Sequence, residues 1–250
     1  MTILEYYKSK ILPGIRIAGQ FESITDASPS IYASLKKNGF AFVCNSFTIL
    51  PKDVVGLKSF FNENESSFQR LFTDFKRGGS DPIFLSLKGP GRYVATTPAV
   101  IDSVILTSDI EKRLLNILGI GGFPKHQQPF FLQWSVLKSD PHLQYCQHSH
   151  CDSEIENQYY KSSQFRFSCM IGLEEYTFLD IKKPKANTHQ RILIESGDVL
   201  FFRNDIAHRG TQNNSDFTHY RLHCFIDPVA LVEKKARYSV VDAVPFIEPN

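Results

Sequence analysis

Paired cysteines, strong net charge and long apolar runs are all scarce in this sequence. The five cysteines are scattered and include no Cys-x-x-Cys pair, so the sequence predicts neither a disulfide framework nor a structural zinc site. They predict instead reduced thiols in an intracellular, cytoplasmic protein. The net charge of +2 provides no broad field that would attract nucleic acid or an anionic membrane. A small molecule or a protein side chain is therefore favoured over nucleic acid as the partner.

Targeting signals and domain boundaries are also missing from the sequence. Residues 1–8 lack the basic and then apolar pattern of a signal peptide, and no apolar stretch is long enough to span a bilayer. No internal repeat, low-complexity tract or linker-like composition interrupts the chain. With 42% hydrophobic residues, the sequence predicts a single domain over residues 1–250.

Residues 1–128 predict a mostly helical part that supports a β-rich core. The first predicted helix has Ser28 as its cap and ends before Gly39. Residues 40–44 follow it as a predicted buried strand. The second covers residues 51–72, where apolar side chains recur near the helical period. The third begins with a capping box at residues 108–111.

Residues 129–227 have the pattern of a β-sandwich or barrel. Short segments rich in β-branched and aromatic residues are separated by Gly, Pro, Asn and Asp. The predicted strands are residues 130–137, 165–171, 176–181, 191–194, 199–202 and 220–226. Their spacing favours a jelly-roll core with the N-terminal helices packed on one sheet, and residues 228–250 are then a C-terminal extension. The predicted fold class is mainly β with flanking α.

The segment His150-Cys151-Asp152 carries the strongest chemical signal. Residues two apart on a strand share a face, so the His150 imidazole and the Asp152 carboxylate can point at one centre. His208 follows the apolar strand 199–202 and would return to the same mouth of the barrel. Two histidines and one carboxylate form the facial triad of non-haem iron(II) oxygenases, which leaves positions open for a chelating co-substrate and dioxygen.

Arg221 is the second diagnostic residue, on the strand predicted after His208. Its guanidinium is a planar, permanently charged fork that grips a carboxylate with two hydrogen bonds. A charge beside Leu222 and Cys224 needs a buried anionic partner. Arg221 would therefore bind the distal carboxylate of 2-oxoglutarate next to the metal.

These residues together resemble a known family, the iron(II)/2-oxoglutarate-dependent dioxygenases. The matching elements, all within residues 129–227, are His150-x-Asp152, His208, Arg221 and Gly197-Asp198-Val199-Leu200-Phe201-Phe202. The resemblance implies a double-stranded β-helix that uses iron(II), dioxygen and 2-oxoglutarate, with ascorbate as a candidate reductant. It also implies decarboxylation of 2-oxoglutarate to succinate, coupled to hydroxylation or oxidative demethylation of a prime substrate. One position departs from the pattern: many members carry Ser two residues after the Arg, where this chain carries His223.

Six further side chains are candidates for contacts around the metal. Tyr145 and Gln133 would contact the co-substrate, and His148, Arg92, Tyr93 and Arg209 would face the prime substrate. Arg92 and Tyr93 follow Gly89-Pro90-Gly91, which predicts an exposed turn or a loop that covers the substrate.

Two other interpretations stay open at the level of the residues. His148, His150, Glu154 and His208 match the ligands of metal-binding cupins, which share the barrel and need no 2-oxoglutarate. Asp152 would then point elsewhere. The third interpretation is a non-catalytic jelly-roll binding module whose histidines are incidental. Arg221 favours the oxygenase, because the other two interpretations leave it unexplained.

Overall fold

The structure is a computed structural model that describes residues 20–21, 30–43, 51–70, 91–95, 109–144, 146–147, 149–152, 165–182, 187–229 and 244–245. The α-helices in this part of the chain are α1 (Ile31–Asn38), α2 (Pro51–Glu63) and α3 (Ile110–Ile120). The strands are β1 (Gln20–Phe21), β2 (Phe40–Val43), β3 (Gln69–Arg70), β4 (Arg92–Ala95), β5 (Phe130–Ser139), β6 (His150–Cys151), β7 (Phe167–Gly172), β8 (Thr177–Lys182), β9 (His189–Ile194), β10 (Val199–Arg203), β11 (His208–Gly210), β12 (His219–Pro228) and β13 (Val244–Pro245).

The strands form a large and a small sheet. The large sheet has the order β1-β2-β10-β7-β12-β5-β4-β3, and the small sheet has the order β13-β6-β11-β8-β9. From β5 to β12 the chain passes repeatedly from one sheet to the other, and the pairs among these strands are antiparallel. This winding is a double-stranded β-helix, so the predicted jelly-roll core is confirmed.

Two apolar clusters hold the layers together. The cluster between the sheets joins large-sheet residues such as Phe202 and Met170 to small-sheet residues such as Ile181 and Ile192. The larger cluster joins the outer face of the large sheet to the three helices. A fully buried Leu or Phe side chain contributes about 1.5–3 kcal/mol, so this second cluster fixes the helices to the sheet. The predicted packing of N-terminal helices on one sheet is therefore confirmed.

Local signals placed the helices well, although their ends differ from the predictions. Ser30, and not Ser28, caps α1: its hydroxyl accepts a hydrogen bond of 3.1 Å from the Ala33 N–H. Gly39 ends this helix with a φ of 82°, as predicted. The second helix ends at Glu63 and does not continue through Phe68, while residues 71–72 lie outside the described residues.

The third helix also begins differently from the prediction. Asp109 is its N-cap, with a φ of 51° and no side-chain capping bond, while Ser108 of the predicted capping box lies outside the described residues. The helix continues one residue past Gly119 to Ile120. Within the described residues, no helix is long and apolar enough to cross a membrane.

The prediction of a mostly helical first half was incomplete. Strands β1 to β4 lie within residues 1–128 and extend the large sheet at both edges. Likewise β13, from the predicted C-terminal extension, pairs with β6 in the small sheet. β2 confirms the buried strand predicted at residues 40–44, of which Cys44 lies outside the described residues. The other strands have two to four residues each, which is too short for a period-two pattern to distinguish them from loops.

Candidate metal centre

His150, Asp152 and His208 converge at one end of the barrel. Antiparallel pairing of β6 with β11 sets His208 opposite His150, and Asp152 follows directly after β6. Ligand atoms of the three residues lie within 4.8 Å of one another. From Asp152 Oδ1, His208 Nε2 is 3.4 Å away and His150 Nε2 is 4.0 Å away. Ligands about 2.1 Å from a shared ion are separated by roughly 3 Å or more, so the cluster fits one metal ion.

The His208 ring is oriented by a backbone carbonyl two residues earlier in the chain. Its Nδ1 lies 3.0 Å from the Ile206 carbonyl, and a carbonyl only accepts, so Nδ1 carries the proton. Nε2 therefore faces Asp152 and the candidate metal position. Hydrogen bonding of one ring nitrogen to the backbone is the usual way in which a metal-binding histidine is fixed.

The two charged forms in this cluster stabilise each other. Burial alone would raise the pKa of Asp152, but the charges and hydrogen bonds of His208 and then His223 lower it well below its ordinary value. Burial alone would lower the pKa of His208, but Asp152 raises it overall. The ionised Asp152 carboxylate is the form that binds a divalent cation, and such a cation would displace the Nε2 proton of His208, because only a neutral imidazole can be a ligand.

Arg221 is buried on β12, on the same face of the strand as His223. The residue is only 6% exposed, and its Nη2 donates a hydrogen bond of 3.2 Å to Ser139 Oγ. Its Nε has no hydrogen-bond partner among the described residues. Burial lowers the pKa of Arg221 to about 10. An unpaired buried charge is costly, so this guanidinium is placed where an anionic partner would be stabilising.

Known proteins with this architecture were found by structure and not by sequence. No protein-family model matches the sequence, and no curated protein matches it either. A prolyl hydroxylase from Trichoplax adhaerens, in complex with a hypoxia inducible factor oxygen degradation domain peptide fragment, has a TM-score of 0.55 at 12% identity over 83% of this chain and 92% of its own. A 2OG-Fe(II) oxygenase family oxidoreductase from Burkholderia pseudomallei has a TM-score of 0.54 at 11% identity over 84% and 95%. A prolyl 4-hydroxylase from Phytophthora capsici has a TM-score of 0.52 at 15% identity over 84% and 66%.

The chain has the fold of the iron(II)/2-oxoglutarate oxygenases. At these identities the likeness establishes the fold, and the chemistry has to be argued from the side chains. The structure brings together the three predicted metal ligands and places Arg221 on β12, the strand whose His223 lies near Asp152. Tyr145, His148 and Glu154 lie outside the described residues, so their predicted roles stay predictions.

Arg92 is buried on a strand, although the Gly-Pro-Gly segment before it predicted an exposed turn. It is 2% exposed on β4, so the prediction of an exposed turn is wrong. Its Nη2 donates to the carbonyls of Thr211 and Gly210, the latter at 3.3 Å, and its Nη1 lies 3.5 Å from Ser139 Oγ. Burial and then the Arg221 charge lower the pKa of Arg92 to about 9. Arg92 thus lies beside Arg221, which does not favour its predicted contact with the prime substrate.

Tyr93 and Arg209 occupy outer faces of the sheets, because each follows an inward-facing residue on its strand. The Tyr93 hydroxyl donates to Asp140 Oδ2 at 3.1 Å, and Arg209 Nε donates to Asp180 Oδ2 at 3.1 Å. These partners explain both side chains structurally. Their predicted substrate contacts stay predictions.

Gln133 lies on the inner face of β5, two residues from Ser135. Its strand register pairs it with Phe225, four residues along β12 from Arg221. At about 3.3 Å per residue, the two levels are roughly 13 Å apart, with His223 between them. The predicted co-substrate contact of Gln133 stays a prediction.

Sequence reasoning missed His223 and Ser139. His223 Nε2 lies 3.8 Å from Asp152 Oδ2, and Ser139 contacts Arg221. The signal for His223 was present, since residues 221 and 223 must share a face of one strand. Ser139 gave no such signal, because its partner is far away in the sequence.

Proposed function

We propose that this protein is an iron(II)- and 2-oxoglutarate-dependent oxygenase. The observation that supports it is the presence, inside one barrel, of a His-Asp-His cluster and a buried arginine whose Nε lacks a partner among the described residues. Arg221 and His223 are two residues apart on β12, which corresponds to roughly 7 Å along the strand. A five-carbon diacid with one end at the metal and the other at the guanidinium suits this separation.

The donor set of the cluster fits iron(II). Two imidazoles and one carboxylate contribute a single negative charge, so a bound divalent ion keeps a net positive charge that attracts an anionic chelator. Bound iron(II) supplies the redox chemistry that couples decarboxylation of 2-oxoglutarate to succinate with oxidation of the prime substrate. The protein's own part is to hold the metal with His150, Asp152 and His208 and to leave the opposite face open.

Arg221 and Ser139 are proposed to bind the distal carboxylate of the co-substrate. The Arg221 Nε–H needs an acceptor, and a carboxylate supplies one through a charge-assisted hydrogen bond. Ser139 Oγ accepts from Arg221, so its own proton can be donated to the same carboxylate. The positive charge of Arg92 nearby adds to the attraction for an anion.

Removal of Arg221 tests the co-substrate site. With iron(II) and ascorbate, the wild type should form succinate from 2-oxoglutarate. Arg221→Ala should raise the half-saturating 2-oxoglutarate concentration about 10- to 150-fold, because a lost charge-assisted contact costs about 1.5–3 kcal/mol. Arg191→Ala is the matched control, since Arg191 pairs with Asp180 on the small sheet and its side chain is 42% exposed. Equal values for wild type and Arg221→Ala, or no succinate and no 2-oxoglutarate binding, would contradict the proposal.

Asp152→Ala separates the oxygenase from the cupin interpretation. We expect this variant to lose metal binding and turnover, since Asp152 Oδ1 faces both histidines. A cupin site built on His148 and Glu154 would tolerate the change. The measurement is anaerobic iron(II) binding, with the exposed Asp216→Ala as control.

A peptide side chain is the first class of prime substrate to test. The structure of the Trichoplax adhaerens neighbour contains a peptide fragment. The net charge of +2 does not favour binding of a nucleic acid. Hydroxylation is the expected outcome. A mass gain of one oxygen atom on a peptide, dependent on 2-oxoglutarate, is the readout, and small metabolites are the next class.

A further inference from the structure

The two oxygens of Asp152 have different surroundings. Oδ1 faces the two metal-site histidines. Oδ2 points away from them, with Ser168 Oγ at 3.3 Å and His223 Nε2 at 3.8 Å. A carboxylate that binds a metal through one oxygen depends on the contacts of the other oxygen for its orientation.

Ser168 alone does not hold Oδ2. Its hydroxyl has one proton and also lies 2.7 Å from Asn204 Oδ1, which is closer than Asp152. The nearer acceptor takes that proton when the Asn204 oxygen faces it. The imidazole of His223 is the other polar group near Oδ2, and its Nε2 lies 3.8 Å away, in electrostatic contact but beyond hydrogen-bond distance.

The His223 ring is itself held in place on three sides. It is buried on the inner face of β12, edge-on to Phe225 with ring centroids 4.6 Å apart, and it also lies against Phe202. Nδ1 is 3.3 Å from Ser135 Oγ on β5. With the ring proton on Nε2, the N–H faces Oδ2 and Nδ1 can accept the proton of Ser135.

We propose that His223 is a positioning residue for the metal-binding carboxylate. It holds Asp152 Oδ2 so that Oδ1 stays turned toward the metal, and Ser135 fixes the ring that does so. This inference rests on the proposed metal site. The position that carries Ser in many members of the resembling family thus serves the carboxylate here, while Ser139 provides the hydroxyl next to Arg221.

Metal affinity of matched variants tests the role of His223. Cobalt(II) is titrated into the full-length, metal-free protein in competition with a fluorescent chelator. His223→Leu keeps the bulk but loses the donor, and its dissociation constant should rise about 10- to 100-fold, as for other outer residues that orient metal ligands. His223→Gln places an amide N–H close to the position of Nε2 and should restore most of the affinity. Ser59→Ala, on the exposed face of α2, is the control.

The readouts distinguish positioning from packing. A residue that only packs would lower the urea midpoint of the metal-free protein and leave the cobalt(II) affinity of the folded protein unchanged, which would overturn the inference. So would a Gln variant as weak as the Leu variant, because that result would point to direct ligation by the ring. If His223→Leu does not fold, Ser135→Ala decides. This variant removes the hydroxyl that contacts His223 Nδ1, so it should weaken cobalt(II) binding. Unchanged binding would refute the inference.

A failure of the proposed function gives a different result. If the wild-type protein binds no cobalt(II), both the metal site and the role of His223 are refuted. If the wild type binds and His223→Leu binds equally well, the metal site stands and only the inference about His223 fails.

Discussion

Ionisable side chains are concentrated on one face of β12. His219, Arg221, His223 and Asp227 alternate along this strand and all point into the barrel. A buried charge is costly without a partner, and several of these groups have one: His223 faces Asp152, and Asp227 lies 3.6 Å from Arg166. The Arg221 Nε has no hydrogen-bond partner among the described residues. The same face therefore combines structural pairs with the candidate co-substrate site.

His219 makes stability depend on pH. Burial, followed by the charges of Arg221 and Lys58, lowers the pKa of His219 to about 4. In the unfolded chain a histidine takes up its proton near pH 6.5, whereas the folded protein resists this until about pH 4. The unfolded state therefore binds more protons in this window, and stability falls as the pH is lowered from about 6.5 toward 4.

His219→Gln should lose less stability than wild type between pH 7 and pH 5. The measurement is the urea midpoint of wild type and variant at both pH values, each in the metal-free form. The titration of His208 and Asp152 then contributes equally to both proteins and cancels in the comparison. His142→Gln, in an exposed pair with Asp216, serves as control. An identical pH dependence of wild type and His219→Gln would show that His219 titrates normally.

The core of the candidate site was predictable from single residues, and its surroundings were not. His150 and Asp152 are two apart on a strand, and Arg221 stands among apolar neighbours, so each is marked by local sequence. His223 depends on Ser135 and Asp152, which lie on other elements, so only the folded chain shows its contacts. Arg92 was misjudged because the preceding Gly-Pro-Gly segment is typical of a surface turn.

Among the elements, length decided which strands could be predicted. β5, β7 and β12 are six to ten residues long, and their alternating patterns gave boundaries close to those observed. β6 carries a candidate ligand but has only two residues, so its place in the sheet comes from pairing with β11 and β13. Pairings between such distant segments leave no local pattern.

Two glycines in different elements should respond oppositely to the same substitution. At Gly172, which ends β7, a Cβ would lie 2.4 Å from the Glu195 carbonyl oxygen and 2.9 Å from that of Ile194. Gly172→Ala should therefore destabilise the protein by about 1–3 kcal/mol, because the backbone must move. At Gly56 in α2 a Cβ meets nothing within 4 Å, so Gly56→Ala should stabilise by about 0.5–1 kcal/mol.

Urea unfolding of the two variants measures both effects. A Gly172→Ala protein as stable as the wild type would show that the end of β7 is looser than the contacts indicate. A destabilised Gly56→Ala protein would show that this face of α2 is covered.

On the scale of the whole molecule, the helices and the large sheet share one core. Trp134, the single tryptophan, lies in that core and donates from Nε1 to Glu111 Oε2 at 3.1 Å, which links β5 to α3. Lys58 on α2 pairs with Glu174 at 2.6 Å, and the Tyr220 hydroxyl donates to Asn62 at 2.8 Å. These contacts predict that helices and sheet unfold together.

Tryptophan emission and far-ultraviolet circular dichroism should therefore give the same urea midpoint. Emission reports the contact of Trp134 with the helices, and circular dichroism reports the secondary structure of the whole chain. Coincident curves are the mark of a single cooperative unit. An emission change at lower urea would indicate that the helices leave the barrel before it unfolds.

The pairing of β13 with β6 matters for anyone who redesigns the chain. Val244 lies opposite Cys151 and Pro245 opposite His150, so residues near the carboxyl end cover one main-chain edge of the strand that presents the first imidazole. A truncation before Val244 would remove no ligand, yet it would leave that edge exposed to water and to other strands. Affinity handles for iron measurements should therefore be kept away from β13, whose pairing covers this edge.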